Sequence, residues 1–311
     1  MRVSQTATGA ERIRTGLIGA GIGPSLSPAL HEREAAALGL ALRYERWDLD
    51  VLDAGAADVG ALLDRARSAG YRGVNVTHPC KETVIGHLDA LSRDAAAIGA
   101  VNTVVIGADG ALTGHNTDWT GFRDGLRARL PRLGTGPVVL LGAGGAGAAA
   151  GYALAREGVR RLHVVDVDAG RATALADVLV PHLSAGSDAT GHGPDELDAL
   201  LPRAGGLVHA TPVGMDAHPG SPCDASLLAH RPWVAEIVYR PLDTALLRDA
   251  RAAGCRTVDG GRMAVHQAAE AFRLFTGHDA DPRRMLAHLA ELVGAGQDAG
   301  HGVDREAGRV A

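Results

Sequence analysis

Lysine is nearly missing from this chain of 311 residues: Lys and Arg total 31, yet Lys81 is the single lysine. Asparagine occurs only at Asn75, Asn102 and Asn116, and Phe, Tyr and Met are scarce while Ala, Gly and Arg abound. The depleted residues have A/T-rich codons, so a G/C-rich genome explains the rarity. Where the survivors sit is the informative part. Cysteine is scarce too. Cys80, Cys223 and Cys255 lie far apart with no CxxC or CxxH spacing, so no metal site is indicated. An odd count, with residues 1–14 polar and without an apolar signal core, fits a reducing cytoplasm. There is no excess of positive charge. A net charge of −5 with both signs interspersed argues against a nucleic acid or a membrane as partner. The uncharged stretch 138–155 is interrupted by Gly142, Gly144, Gly145, Gly147 and Gly151, and is too weakly apolar to span a bilayer.

What is present fits a soluble α/β protein. The chain is 46% hydrophobic and 22% charged, and its length suits two domains better than one. Strand-like segments at 13–18, 43–49, 73–76 and 100–106 alternate with helical ones at 27–38, 53–69, 92–98 and 118–130, with a further helix after Pro79. Ser27 is read as the cap of the first helix, and Asp109-Gly110 as a turn. A Pro- and Gly-rich break at 130–137 precedes a second series. Its strands are 138–141, 161–165, 206–210 and 233–238, and its helices start at Gly145 and Arg171. Such alternation predicts parallel, doubly wound sheets. Helices at 246–253, 263–275 and 282–293 follow, and residues 1–12 and 294–311 are expected to be flexible tails.

Gly142-Ala143-Gly144-Gly145-Ala146-Gly147 matches G-x-G-x-x-G between an apolar strand and a helix, the context a dinucleotide turn requires. Asp166 lies about 20 residues on, where a carboxylate holds the adenosine ribose and repels a 2′-phosphate. No arginine immediately follows it, and Arg171 sits in the next helix. NAD is therefore predicted over NADP, with Asp168 left to cap that helix. The second cluster, Gly19-Ala-Gly21-Ile-Gly23-Pro24, has proline in place of the last glycine and reads as a substrate loop.

Polar residues concentrate in Ser25-Leu-Ser27-Pro28, Asn75-Val-Thr77-His-Pro-Cys-Lys81, Ala100-Val-Asn102-Thr103 and Asn116-Thr117-Asp118. Each is placed at the end of a predicted strand, where open α/β sheets build their sites. The lysine and all three asparagines fall in these segments. A bias that swaps Lys for Arg spares positions where Arg cannot work, and a desolvated lysine exchanges protons where an arginine does not. Lys81 is thus a candidate acid/base, Asp118 its partner or a helix cap, and Ser25 and Ser27 a carboxylate cradle. Cys80 reads as a small residue on a helix face.

In this order the motifs resemble the shikimate dehydrogenase family, including its quinate/shikimate members, over about 13–293. The resemblance rests on Ser-Leu-Ser-Pro-x-x-His (25–31), Asn-Val-Thr-x-Pro-x-Lys (75–81), Ala-Val-Asn-Thr (100–103) and Asn-Thr-Asp-x-x-Gly-Phe (116–122). It extends through the glycine turn, Ala-Thr-Pro-Val-Gly-Met (210–215), Tyr-x-Pro-x-x-Thr (239–244) and Gln-Ala-Ala-x-Ala-Phe (267–272). It implies a catalytic domain (13–121 plus 264–293) and a Rossmann-type NAD-binding domain (122–263), the last helices returning to the first domain. It implies that Lys81 and Asp118 are catalytic. Ser25 and Ser27 would bind the substrate carboxylate; Asn75, Thr77, Asn102, Asp118 and Gln267 the ring hydroxyls, with Tyr239 close by. Thr211, Val213, Val238, Gly260 and Met263 would line the nicotinamide pocket. NADP-using members carry Asn-Arg-Thr where this chain has Asp166-Val167-Asp168, which again points to NAD. Glu32 replaces the usual Asn and Ala264 the usual Leu; NAD use, with Ala264 widening the pocket, raises the prospect of quinate use. The resemblance thus implies an NAD-dependent enzyme on shikimate, with quinate as a second substrate and a monomer or homodimer as the assembly. The rivals are an NADP-dependent biosynthetic enzyme, a folate- or amino-acid-type dehydrogenase and a non-catalytic NAD-binding regulatory module.

Overall fold

The computed structural model describes residues 12–306. The protein is α/β and carries two six-stranded sheets. The first takes β1 (Ile13–Gly19), β2 (Leu42–Asp48), β3 (Gly73–Val76), β4 (Ala90–Leu91), β5 (Thr103–Ile106) and β6 (Leu112–His115), in the order β2-β1-β3-β5-β6-β4. Helices α1 (Ser27–Ala37), α2 (Leu49–Leu52), α3 (Val59–Ser68) and α4 (Arg93–Ile98) lie between its strands, and α5 (Asp118–Arg129) leads to the second sheet. That sheet takes β7 (Val138–Leu141), β8 (Arg161–Val165), β9 (Asp188–His192), β10 (Gly206–His209), β11 (Trp233–Glu236) and β12 (Thr257–Val258), in the order β12-β11-β10-β7-β8-β9. Its helices are α6 (Gly145–Arg156), α7 (Ala169–Leu179), α8 (Leu197–Leu200) and α9 (Ala245–Ala252). Helices α10 (Gly260–Thr276) and α11 (Pro282–Glu306) close the chain.

The second sheet is parallel throughout, and its sequence says why. β7 reads Val-Val-Leu-Leu and alternates between two cores: Val138 and Leu140 pack with α5, α6 and α7, while Val139 and Leu141 pack on the opposite face with α8 and α9. The first sheet departs from the parallel expectation, because β5 runs antiparallel to both β3 and β6. The Asp109-Gly110 turn accounts for the β5–β6 pair: the Gly107 N–H donates to the Ala111 carbonyl at 2.8 Å, and Gly110 takes φ +84. So short a connection makes a hairpin and cannot carry a parallel crossover.

Other local expectations change for identifiable reasons. The helix expected over 53–69 is broken, because Asp53 ends α2 in the left-handed region and α3 starts only at Val59. The segment after Pro79 is a 3₁₀ turn, Thr83–His87, and not a helix. Ser27 does not cap α1; Leu26 does, without a side-chain bond. β4, β6, β9 and β12 have no counterpart in the predicted set. α11 continues past 293 to Glu306, with no proline after Pro282 to stop it. Of the expected tails, 1–11 and 307–311 lie outside the described residues.

α10 joins the two sheets. Gly121 and Gly125 let it cross α5 closely, since a Cβ on Gly121 would lie 2.7 Å from the Gln267 nitrogen and 2.8 Å from the Met263 carbonyl oxygen. α11 then packs on α1 and α10, its Met285 and Leu289 meeting Leu30 of α1 and Val265 of α10. There the fully buried Glu34 carboxylate accepts two bonds from Arg284, at 2.9 and 2.6 Å, and one from the Asp281 N–H at 2.7 Å. Among the described residues no helix is long and apolar enough to cross a membrane.

Candidate active site

The antiparallel β5 brings the polar segments together. β1 and β3 run in parallel and stop at Gly19 and Val76. Because β5 runs the other way, its beginning, Asn102-Thr103, falls at that same end, where Thr103 pairs with Asn75 and with His115. Asn102-Thr103 therefore opens a strand and does not end one. Asn116 to Asp118 leave β6 at the same place and turn into α5.

At the centre, Lys81 Nζ meets Asp118 Oδ2 at 2.5 Å, with the two side chains 19% and 10% exposed. Asp118 Oδ1 accepts from Asn102 Nδ2 at 2.9 Å. Asn102 also donates to Thr117 Oγ1 at 3.0 Å, while its Oδ1 accepts the Thr117 N–H at 2.7 Å. Capping of α5 falls to Asn116, whose Oδ1 accepts from the N–H groups of Asp118 and Trp119 at 3.1 and 3.3 Å. Asp118 therefore does not cap, and both its oxygens are free for Lys81 and Asn102. Asn75 donates to the Asn102 carbonyl and to Thr103 Oγ1 at 3.2 and 2.9 Å, and accepts from the Tyr44 hydroxyl at 2.8 Å. Its carboxamide is fixed, with one lone pair left over. Gln267 stands at the margin, its Oε1 3.5 Å from Thr117 Oγ1.

Tyr44 escaped the sequence reading. Burial pushes its hydroxyl well above the usual tyrosine range, opposed by a hydrogen bond with Ser27. It links Ser27 to Asn75 and lies 4.8 Å from the buried His31 ring. Glu32 accepts the Tyr44 N–H at 3.0 Å and so holds β2 against α1. Ser25 Oγ accepts the Ser27 N–H at 3.3 Å. Tyr239 is near enough to Tyr44 to influence its ionisation, and burial raises its own. Cys80 is not on a helix face. It is buried in the first core, and burial pushes its thiol up, so it packs and is unreactive. The glycine loop 19–24 is tied down by Asp48 and Asp50, which accept the N–H groups of Gly21 and Gly23. Arg240 reaches across from beyond β11 to the Pro24 carbonyl.

Beside this network opens a cleft of about 690 Å³. Thr77 and Lys81 line one side, the glycine turn and Asp166 another, and Thr211 and Val213 a third. A Cβ on Gly147 would fall 1.9 Å from the Gly142 carbonyl oxygen, and Gly142 itself takes φ +101. Towards the cleft, Gly144 and Gly145 are bare: a Cβ there would meet nothing nearer than Arg171 Nη2 at 3.6 Å and Lys81 Cδ at 3.4 Å. The turn thus offers exposed backbone at the start of α6, a cradle for a pyrophosphate. Asp166 sits at its rim, its Oδ2 accepting the Ala143 N–H at 2.7 Å and its Oδ1 that of Asp168 at 3.0 Å. Asp168 caps α7, accepting from Gly170 and Arg171. Arg171 belongs to the site more than its place in a helix implied, since its guanidinium hangs over Gly144. Val238, Gly260 and Met263 are not among the residues that line this cleft: Val238 and Met263 are buried, and Gly260 is pressed on the Ile237 and Val238 carbonyls.

Comparison with known proteins decides which family builds such a site. The model of the shikimate dehydrogenase substrate binding domain matches residues 17–104, and that of the shikimate 5′-dehydrogenase C-terminal domain matches 261–289. A shikimate dehydrogenase (NADP(+)) of Arthrobacter sp. is 53% identical over 92% of this chain and 97% of its own. A quinate/shikimate dehydrogenase (NAD(+)) of Corynebacterium efficiens is 49% identical over 91% and 99%. The chain belongs to the shikimate dehydrogenase family. Among solved structures, the quinate dehydrogenase of Corynebacterium glutamicum in complex with NAD has a TM-score of 0.85 at 46% identity, covering 90% of this chain and 99% of that one. The Thermus thermophilus shikimate 5-dehydrogenase, in complex with NADP(H) and shikimate, has a TM-score of 0.78 at 37% identity over 90% and 99%. Membership makes the protein a nicotinamide-dependent oxidoreductase of the shikimate/quinate dehydrogenase type.

Proposed function

We propose that this protein interconverts shikimate and 3-dehydroshikimate, and quinate and 3-dehydroquinate, with NAD as the hydride carrier. The observation that carries the reading is the Lys81–Asp118 pair at 2.5 Å, with Lys81 facing both the polar network and the bare glycine turn. A bound nicotinamide supplies the hydride acceptor. This chain does the rest. Ser25 and Ser27 take the substrate carboxylate. Asn75, Thr77, Asn102 and Gln267 hold the ring hydroxyls, with Tyr239 against the ring. In the oxidation direction Lys81 acts as the neutral amine and takes the proton of the reacting hydroxyl, and Asp118, itself held by Asn102, holds the ammonium so formed; in reverse that ammonium returns the proton. The glycine turn and Asp166 hold the adenosine half, and Thr211 and Val213 wall the nicotinamide side, with Val238, Gly260 and Met263 behind them. Residues 13–121 and 264–293 form the substrate domain and 122–263 the dinucleotide domain.

NAD is favoured because the Asp166 carboxylate stands at the rim with both oxygens anchored, where it repels a 2′-phosphate. A second reading, NADP, has Arg171 over Gly144 in its favour, together with the NADP(+) named for the Arthrobacter relative. Initial rates of the purified protein with shikimate and quinate, each with NAD and NADP, test both. The highest kcat/KM is expected for shikimate or quinate with NAD. A preference for NADP overturns the cofactor assignment, and no turnover of either acid overturns the whole reading.

A further inference from the structure

β10 and β11 are buried over their whole length and apolar except at their last residues, His209 and Glu236, which are register partners. Both side chains are 0% exposed. His209 Nδ1 lies 2.9 and 3.1 Å from the two Glu236 oxygens. Glu236 also accepts the Val238 N–H at 3.0 Å and the Thr244 hydroxyl at 3.1 Å. Facing a carboxylate that only accepts, Nδ1 carries a hydrogen. The other ring nitrogen, Nε2, meets Thr211 Oγ1 at 2.5 Å, and that oxygen accepts the Val213 N–H at 3.3 Å.

A buried pair of this kind is no stability device, since two apolar side chains fill such a place with less desolvation. Its bonds are directional instead. One end ties the Thr211–Val213 turn, which lines the cleft, to the sheet beneath. The other ties down the segment after β11, which carries Val238 and Tyr239. We propose that His209 and Glu236 are positioning residues that set the nicotinamide-side wall, holding the Thr211 hydroxyl and the Val213 backbone in the geometry that accepts the dinucleotide. The proposal rests on the function proposed above. Neither residue lines the cleft.

The test uses the full chain and titrates reduced dinucleotide by its fluorescence, alongside thermal unfolding and steady-state kinetics. His209→Asn keeps a donor for Glu236 but cannot reach Thr211. The double change His209→Leu with Glu236→Leu keeps the core filled and frees both segments. In each, dissociation constant and KM for the dinucleotide are expected to rise about tenfold, the worth of one hydrogen bond. In His209→Asn, which leaves Glu236 its bonds to Val238 and Thr244, KM for shikimate at saturating dinucleotide should stay within about twofold; the unbound midpoint should fall in both variants, which strand buried polar partners, so binding is compared well below it. Dinucleotide binding within about twofold of the wild type in folded His209→Asn overturns the proposal, as does a parallel rise in both KM values. If the double variant does not fold, His209→Asn alone decides. A wild type that binds dinucleotide and oxidises shikimate, with variants that match it, sinks this inference only. A wild type that does neither sinks the functional reading and this one with it.

Discussion

Replacing Asn102 with alanine removes a side chain that is 4% exposed and serves several neighbours at once. Its Oδ1 accepts the Thr117 N–H at 2.7 Å and its Nδ2 donates to Asp118 Oδ1 at 2.9 Å. Truncation leaves one backbone donor and one carboxylate oxygen without those partners. Each orphaned group costs about 1–3 kcal/mol, so folding should lose about 2–6 kcal/mol. At roughly 2–3 °C per kcal/mol for a chain of this size, the melting midpoint should drop by about 4–18 °C. Function should fall further, because Asp118 loses the bond that aims its second oxygen at Lys81. A drop in kcat of at least about tenfold is expected at saturating substrates. Dinucleotide binding should stay within about twofold, since Asn102 does not line the cleft. Differential scanning fluorimetry, steady-state kinetics and a fluorescence titration read these quantities separately. A midpoint within about 1 °C of the wild type refutes the satisfaction argument. Dinucleotide affinity that falls in step with kcat refutes the claim that Asn102 acts through Asp118.

Three further outcomes follow from other parts of the molecule. Asp166→Asn keeps an acceptor for the Ala143 N–H but removes the charge, so the ratio of kcat/KM for NAD to that for NADP should fall at least about tenfold; an unchanged ratio removes Asp166 from cofactor choice. Gly147→Ala puts a Cβ 1.9 Å from the Gly142 oxygen, so the turn must open and dinucleotide affinity should fall at least about tenfold; wild-type affinity in that titration contradicts the packing. Burial holds His31 down at about 3, so it stays neutral when folded while the unfolded chain takes up a proton below about pH 6.5. Stability is therefore intact above about pH 6.5 and lost on acidification, by about 1.4 kcal/mol per pH unit from this group. His31→Leu should flatten the fall in urea midpoint between about pH 7 and about pH 4, and an equal fall in both proteins counts against it.

The second sheet was legible almost strand for strand, because buried parallel strands are continuous apolar runs and glycines mark the phosphate turn. Its edge strands β9 and β12 were not. Thr257–Val258 is too short for any periodicity, and Asp188–His192 is polar along an edge. In the first sheet the Asp109-Gly110 turn was read, but its consequence, an antiparallel β5, was not drawn. That reversal brings Asn102 to the site. The motif residues were visible as types. Their division of labour was not: Asn116 caps through a local bond so that Asp118 need not, and Tyr44 locks Asn75 through a contact between residues distant in sequence. Arg171 was discounted for its place in a helix, although one turn of α7 suffices to carry its guanidinium over Gly144. His209 and Glu236 had a signal that went unused: each is a charged or polar residue ending an otherwise apolar strand, just ahead of a motif segment.

The measurement that bears most directly on the central claim is shikimate oxidation with NAD by the wild type and Lys81→Ala side by side, with reduced-dinucleotide binding recorded for both. Lys81 supplies the only amine of the site's ion pair with Asp118 and packs against Gly145 through its stem. The wild type should turn over. The variant should lose at least about a hundredfold in kcat, the low end for a lost acid/base group, while its dissociation constant stays within about threefold. Turnover by Lys81→Ala within a few-fold of the wild type would contradict the account.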